Sequence, residues 1–147
     1  MVSVRLRVAM LAVALIGAAQ AAEFRSIASP AAVLYDAPSA QATRRFVMGA
    51  GYPVEVLVKL DKWIKVRDDA GDISWAEAKS LSDKRTLIVT EVGAEVRDKP
   101  ALDAPVVFRA DKGLLLDLAE VPANAWVKVR HRDGQTGYIS VKQVWGL

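Results

Sequence analysis

The 147-residue chain contains an internal repeat of about 62 residues, which restricts the fold to one small unit used twice. The matched positions keep their order along both copies. They are Asp36 with Asp98, Pro38 with Pro100, Phe46 with Phe108, Gly51 with Gly113, Trp63 with Trp126, Gly71 with Gly134 and Lys79 with Lys142, while Trp75 stands opposite Tyr138. The offset is 62 up to Gly113 and 63 afterwards, because the second copy has one extra residue. This ordered series indicates a duplication.

Each copy consists of short segments in which apolar and polar residues alternate, as they do in half-buried β-strands. Along residues 53–60 every second residue is a valine or leucine and is expected on the inner face of a strand. These residues are Val54, Val56, Val58 and Leu60. In the two Trp-x-Lys-Val-Arg segments, 63–67 and 126–130, the inner residues are expected to be Ile64, Val66, Val127 and Val129. Because no long segment after the first 21 residues has a helical period, the pattern favours small β-barrels.

Turn signals separate these segments. Asp133 and Gly134 predict a tight hairpin, since glycine tolerates the positive φ that such turns need. Pro38 and Pro100 interrupt strand pairing, because proline lacks the backbone N–H that the ladder requires. Only residues 82–85 connect the copies, so the two barrels are expected to lie close together.

Residues 1–21 carry the features of a secretory signal. Two arginines precede an apolar run over residues 8–19, and Ala-Gln-Ala at 19–21 forms a cleavage site. The run is shorter than the roughly 20 residues that a membrane span needs. The prediction is an exported protein, periplasmic or secreted, that begins at Ala22 and has no membrane span after cleavage. An uncleaved anchor or a buried helix is the alternative.

Composition argues against most catalytic chemistry. The chain has no cysteine, which excludes disulfides, thiol nucleophiles and cysteine zinc sites. Its one histidine, His131, lies between two arginines at a hairpin end, and Asp68 and Asp69 fall at a predicted turn. The net charge is +3 but only +1 without the signal segment, so bulk charge does not suggest nucleic acid. We expect no enzyme activity, no cofactor and no metal site.

The second copy resembles the C-terminal half of an SH3 domain over residues 126–144. The Asp-x-Pro element, the mid-repeat glycine and the Trp-x-Lys-Val-Arg strand are similar to bacterial SH3 (SH3b) domains. The first copy departs from this pattern where Ser74 and Trp75 replace Gly137 and Tyr138. The resemblance implies five-stranded barrels that bind peptides, cell-wall components or other proteins, without catalysis.

The predicted fold class is therefore all-β, with two tandem small SH3-like barrels behind a signal peptide. The expected boundaries are a signal peptide at 1–21, a first domain at 22–81, a short linker at 82–87 and a second domain at 88–147.

The polyproline-binding groove of some SH3 domains is not expected here. Its first tryptophan position matches Ala125 in the second copy and Lys62 in the first, and its late proline and tyrosine positions match Ser140 and Gln143. Polyproline ligands dock on aromatic rings, and those rings are missing.

The candidate ligand-binding residues lie opposite the buried face of the two matched strands. They are Trp63, Lys65, Arg67, Trp126, Lys128 and Arg130. An aromatic ring beside cations suits a peptide that carries carboxylates. The alternative is that each tryptophan is covered by its own loop or by the other barrel, since large aromatics usually bury most of their area. Trp145 and Leu147 are expected to close the last barrel.

These features predict an exported, non-catalytic binding module that recognises a cell-wall peptide or an envelope protein. The alternative is a structural or assembly component of an envelope complex, with no small ligand. An enzyme is a third hypothesis.

Overall fold

Two all-β units form the protein in the computed structural model, which describes residues 20–28 and 30–147. The predicted signal segment therefore lies outside the described residues, except for Gln20 and Ala21. The first unit contains β1 (Glu23–Ile27), β2 (Ala31–Tyr35), β3 (Arg44–Gly49), β4 (Pro53–Lys59), β5 (Trp63–Arg67), β6 (Ile73–Glu77) and β7 (Leu81–Ser82). The second contains β8 (Thr86–Val89), β9 (Ala94–Arg97), β10 (Val106–Ala110), β11 (Leu115–Leu118), β12 (Trp126–Arg130), β13 (Thr136–Ser140) and β14 (Val144–Trp145).

Both units have the same strand order. The first sheet runs β3-β2-β6-β5-β4-β1-β7, and the second runs β10-β9-β13-β12-β11-β8-β14. One turn of 3-10 helix, Ala78–Ser80 or Val141–Gln143, leads into the last short strand of each unit. The prediction of an all-β tandem pair is confirmed. In the described part of the chain, no helix is long and apolar enough to cross a membrane.

Each unit has its own hydrophobic core, as two barrels require. The first core contains Ile27, Leu34, Val54, Ile64, Val66 and Ala76, and the second contains Leu87, Val96, Leu116, Val127, Val129 and Ile139. The predicted inner faces of β5 and β12 are confirmed, since their four inner residues are at most 3 % exposed.

The alternation predicted for β4 fails in its second half. Val54 is buried and Val56 half-buried, but Val58 and Leu60 are exposed, so the expectation that all four share an inner face is wrong. The pairing of β4 with β5 shifts register between Val56 and Val58. A bulge adds one residue to a strand, and a one-residue shift turns the following side chains to the opposite face.

The two units touch directly, as the short connection predicts. Thr86 Oγ1 in β8 donates a 2.6 Å hydrogen bond to the Gly51 carbonyl oxygen of the first unit. The rings of Phe24 and Trp145 meet edge to face, with their centroids 5.0 Å apart. The expectation that Trp145 closes its own barrel is therefore incomplete, because its ring packs on the first unit. Leu147 packs against the second core, as expected.

Candidate functional site

The outer faces of β5 and β12 carry equivalent side chains. Lys65 Nζ lies 5.8 Å from the centroid of the Trp75 ring, and Lys128 Nζ lies 5.8 Å from that of Tyr138. These distances suit a cation over an aromatic face. The repeat thus extends from the sequence to the placement of individual side chains.

Trp63 is half-buried and packs against an aromatic residue of its own unit. The Tyr35 ring at the end of β2 meets it edge to face, with the centroids 5.5 Å apart. Tyr35 is itself buried, and its backbone lies opposite that of Trp75 where β2 pairs with β6. A strand residue of its own unit thus packs against the Trp63 ring, and the rest of the side chain stays partly exposed.

Trp126 has a different neighbour, because position 97 holds arginine where the first copy has Tyr35. Arg97 is held by an ion pair with Glu95 and by a 2.7 Å hydrogen bond from Nη1 to the Ala104 carbonyl oxygen. Trp126 is half-buried and contributes to two surface cavities of about 150 and 320 Å³. The second unit therefore presents a tryptophan to open space on two sides.

Exposed apolar residues flank this tryptophan. Leu102 belongs to the larger cavity and is 81 % exposed, and Val121 belongs to the smaller one and is 84 % exposed. We call this region the Trp126 surface. It comprises Leu102, Val121, Trp126, Lys128 and Tyr138. It combines aromatic rings, aliphatic side chains and one cation.

Lys128 is already paired on this surface. Its Nζ lies 2.7 Å from Glu120 Oε1, and this hydrogen bond and charge raise the pKa of Lys128. A ligand carboxylate would therefore compete with Glu120 for the ammonium group.

The two candidate arginines lie elsewhere. Arg67 donates from Nε and Nη2 to Glu55 Oε2, at 2.8 and 2.6 Å. Arg130, its equivalent, lines a cavity between the two units. The structure thus brings Trp126 and Lys128 together, and it places Arg130 at a different cavity.

That cavity, which we call the inter-unit cleft, has a volume of about 580 Å³. Residues of both units and of the connection line it, among them Ile27, Gly51, Leu115, Arg130 and Arg132. The sequence did not indicate this cleft, because each copy contributes only part of it. The short connection predicted proximity of the units but not the residues that face each other.

The histidine and the acidic pairs hold turns. His131 Nδ1 lies 2.9 Å from Asp133 Oδ1. Hydrogen bonds from the backbone and side chain of Gln135, with a smaller effect of His131, lower the pKa of Asp133 to about 2. Asp68 Oδ1 accepts hydrogen bonds from the backbone of residues 70 and 72, which fixes the loop before β6. These contacts show His131 and Asp68 fixing turns, where the sequence places them.

Residues 20–28 and 30–147 contain no cluster of three or more potential metal-ligating acidic or histidine side chains.

The comparisons with known proteins agree with this fold. A model of the bacterial SH3 domain matches residues 28–83 and 90–146. The chain therefore belongs to the bacterial SH3 domain family and carries two copies in tandem. No curated protein matches the chain.

Three solved structures are similar at low identity. NlpC2 from Trichomonas vaginalis is 14 % identical over 86 % of this chain and 48 % of its own length, with a TM-score of 0.39. NlpC1 from the same organism is 16 % identical over 92 % of this chain and 50 % of its own, with a TM-score of 0.40. An NlpC/P60 family protein from Bacillus cereus ATCC 10987 is 15 % identical over 84 % of this chain and 56 % of its own length, with a TM-score of 0.38. The chain spans about half the length of these proteins.

Proposed function

We propose that the protein is an exported, non-catalytic binding protein that recognises a cell-envelope peptide or protein through the Trp126 surface. The family supports the general role, since SH3b domains act as binding modules and often bind cell-wall components. The observation that carries the proposal is the difference between the tryptophans. Both rings are half-buried, but the Tyr35 ring packs against Trp63, whereas Trp126 lines two open cavities.

The chemistry of this surface suits a peptide. A half-buried aromatic ring with exposed apolar neighbours offers apolar surface that is removed from water when a partner covers it. Leu102 and Val121 line different cavities that share Trp126, so an extended segment across the ring would place apolar side chains in both. Glu120 already neutralises Lys128 at the smaller cavity, but Lys142 leaves the larger cavity with a net positive charge, which favours ligands that carry carboxylates.

Retention of the purified protein on isolated cell wall tests the proposal. Truncating a central tryptophan commonly costs about 2 kcal/mol or more, so we expect Trp126→Ala to weaken retention by a factor of roughly 30. A second variant, Leu102→Ser with Val121→Ser, changes only exposed side chains and should also weaken retention while keeping the melting temperature. Val47→Ser is the matched control, because Val47 is 73 % exposed on the first unit. Undiminished retention of both folded variants would contradict the proposal.

The assembly alternative also has a specific feature in its favour. The first unit exposes apolar side chains at Val47, Val58 and Leu60, which a protein partner would cover. The same experiment separates the two functions when the wall is used before and after its associated proteins are removed. Retention that requires those proteins and depends on Val47 or Val58 rather than on Trp126 would favour the assembly component.

A further inference from the structure

We propose that the inter-unit cleft is a second binding site, which takes a small anionic ligand with an apolar portion, such as a short peptide that ends in a free carboxylate. The cleft shares no residue with the Trp126 surface. Its volume of about 580 Å³ lies within the roughly 300–1,000 Å³ typical of small-ligand sites, which often form between domains.

Both units supply its apolar walls. Ala28 and Ala50 come from the first unit, and Leu114 and Leu115, just before and at the start of β11, come from the second. Gly51 and Gly113, the matched mid-repeat glycines, also line the cleft and have φ values of 83° and 87°. Because this left-handed conformation disfavours larger residues, both turns stay without side chains and leave the space open.

The charge of the cleft follows from a rearranged ion pair. In the first unit Glu55 faces Arg67 across β4 and β5 and binds it at 2.6 Å. The equivalent residues Asp117 and Arg130 also face each other across β11 and β12. Asp117 Oδ1, however, lies 2.9 Å from Nζ of Lys84 in the connection between the units. The connection thus supplies the cation that neutralises Asp117.

This rearrangement leaves two guanidinium groups at the cleft. Within the described part of the chain, neither Arg130 nor Arg132 forms an ion pair with a carboxylate. Position 132 matches Asp69 of the first copy, which accepts a hydrogen bond from Tyr52, so the second copy has a cation where the first has an acid. Two arginines beside a neutralised Lys84–Asp117 pair give the lining a net charge of +2.

The arginines and the walls together define the ligand. Guanidinium groups bind carboxylates through two parallel hydrogen bonds and bind phosphates in the same way. The leucine and alanine walls add a requirement for an apolar group next to the anion. A peptide with an aliphatic C-terminal residue meets both requirements.

Titration of the ¹⁵N-labelled protein with N-acetyl-leucyl-leucine tests this site. We expect the backbone amides of Gly51, Gly113 and Leu115 to shift, and the C-terminal amide of the same dipeptide to bind at least tenfold more weakly. Binding of inorganic phosphate as tight as that of the dipeptide would overturn the role of the apolar walls. Equal binding of the carboxylate and the amide would overturn the role of the arginines.

Variants locate the binding within the molecule. Arg130→Gln with Arg132→Gln should abolish the shifts, whereas Arg67→Gln, at the equivalent position of the first unit, should leave them unchanged. Asp117→Asn should strengthen binding severalfold, because it removes the only acidic side chain of the lining. Trp126→Ala should have no effect, which separates this site from the proposed function. Undiminished binding by the folded double-arginine variant would reject the site.

Discussion

The side chain of Val129 is fully enclosed in the second core, and its neighbour Lys128 points outward. Val129→Asp would place a carboxylate among apolar groups with no partner. We expect it to lower the free energy of unfolding by about 4 kcal/mol or more, out of the roughly 5–15 kcal/mol that stabilises a small domain. Urea unfolding measures this difference.

Lys128→Asp is the matched control for this prediction. It removes the exposed pair with Glu120, and such pairs contribute about 1 kcal/mol or less. Equal losses for the two variants would mean that the faces of β12 are assigned the wrong way round.

Individual residues also show where sequence patterns stop being informative. The inner positions of β5 and β12 were predictable, because a period of two assigns faces without knowledge of neighbouring strands. The different surroundings of Trp63 and Trp126 were not. They depend on Tyr35 and Arg97, which reach the tryptophans only because β2 pairs with β6 and β9 pairs with β13.

At the scale of elements, β13 lies unusually close to β9. A Cβ on Gly137 would sit 2.6 Å from the Arg97 carbonyl oxygen and 2.6 Å from Val96 Cγ1. We therefore expect Gly137→Ala to destabilise the second unit by about 1–3 kcal/mol, the usual cost of overpacking. Gly49→Ala is the control, because a Cβ there meets nothing within 4 Å and the backbone φ is ordinary. Similar melting temperatures for both variants would show that β9 can move away from the added Cβ at little cost in stability.

The faces of β4 could be predicted only for the first half of the strand. Its sequence contains three consecutive apolar residues, Val56, Leu57 and Val58, so apolar side chains point to both faces of the strand. Either face is then compatible with the pattern, and pairing with β5 decides between them. The register shift inside this apolar run turns Val58 outward, which alternation alone cannot show.

At the scale of the whole molecule, Trp145 belongs to the second unit in sequence but packs on Phe24 of the first. Trp145→Ala should therefore loosen both units. We expect faster amide hydrogen exchange in β1 and β4 of the first unit as well as in β8, since local opening depends on the packing that remains.

Leu147→Ala is the control for this exchange experiment, because Leu147 packs against the second core. It should accelerate exchange in the second unit alone. Exchange in β1 and β4 that is unchanged by Trp145→Ala would show that the two units are stabilised independently.

The tandem organisation itself was the most predictable part of the molecule, because ordered repeats reveal unit size and number. The inter-unit cleft was the least predictable. It depends on Lys84 reaching Asp117, a pairing between the connection and a strand that has no counterpart in the first copy.

The three residues that join the units are all engaged. Asp83 contacts Arg25 of the first unit at 3.4 Å, Lys84 binds Asp117, and Arg85 Nη2 donates to the Gly146 carbonyl oxygen at 2.8 Å. These contacts tie the connection to both units and so hold the two proposed binding surfaces at one separation. A polymer with regularly spaced side groups would engage both surfaces at once only where its repeat length matches that separation. Binding at the second surface would then cost little additional conformational entropy.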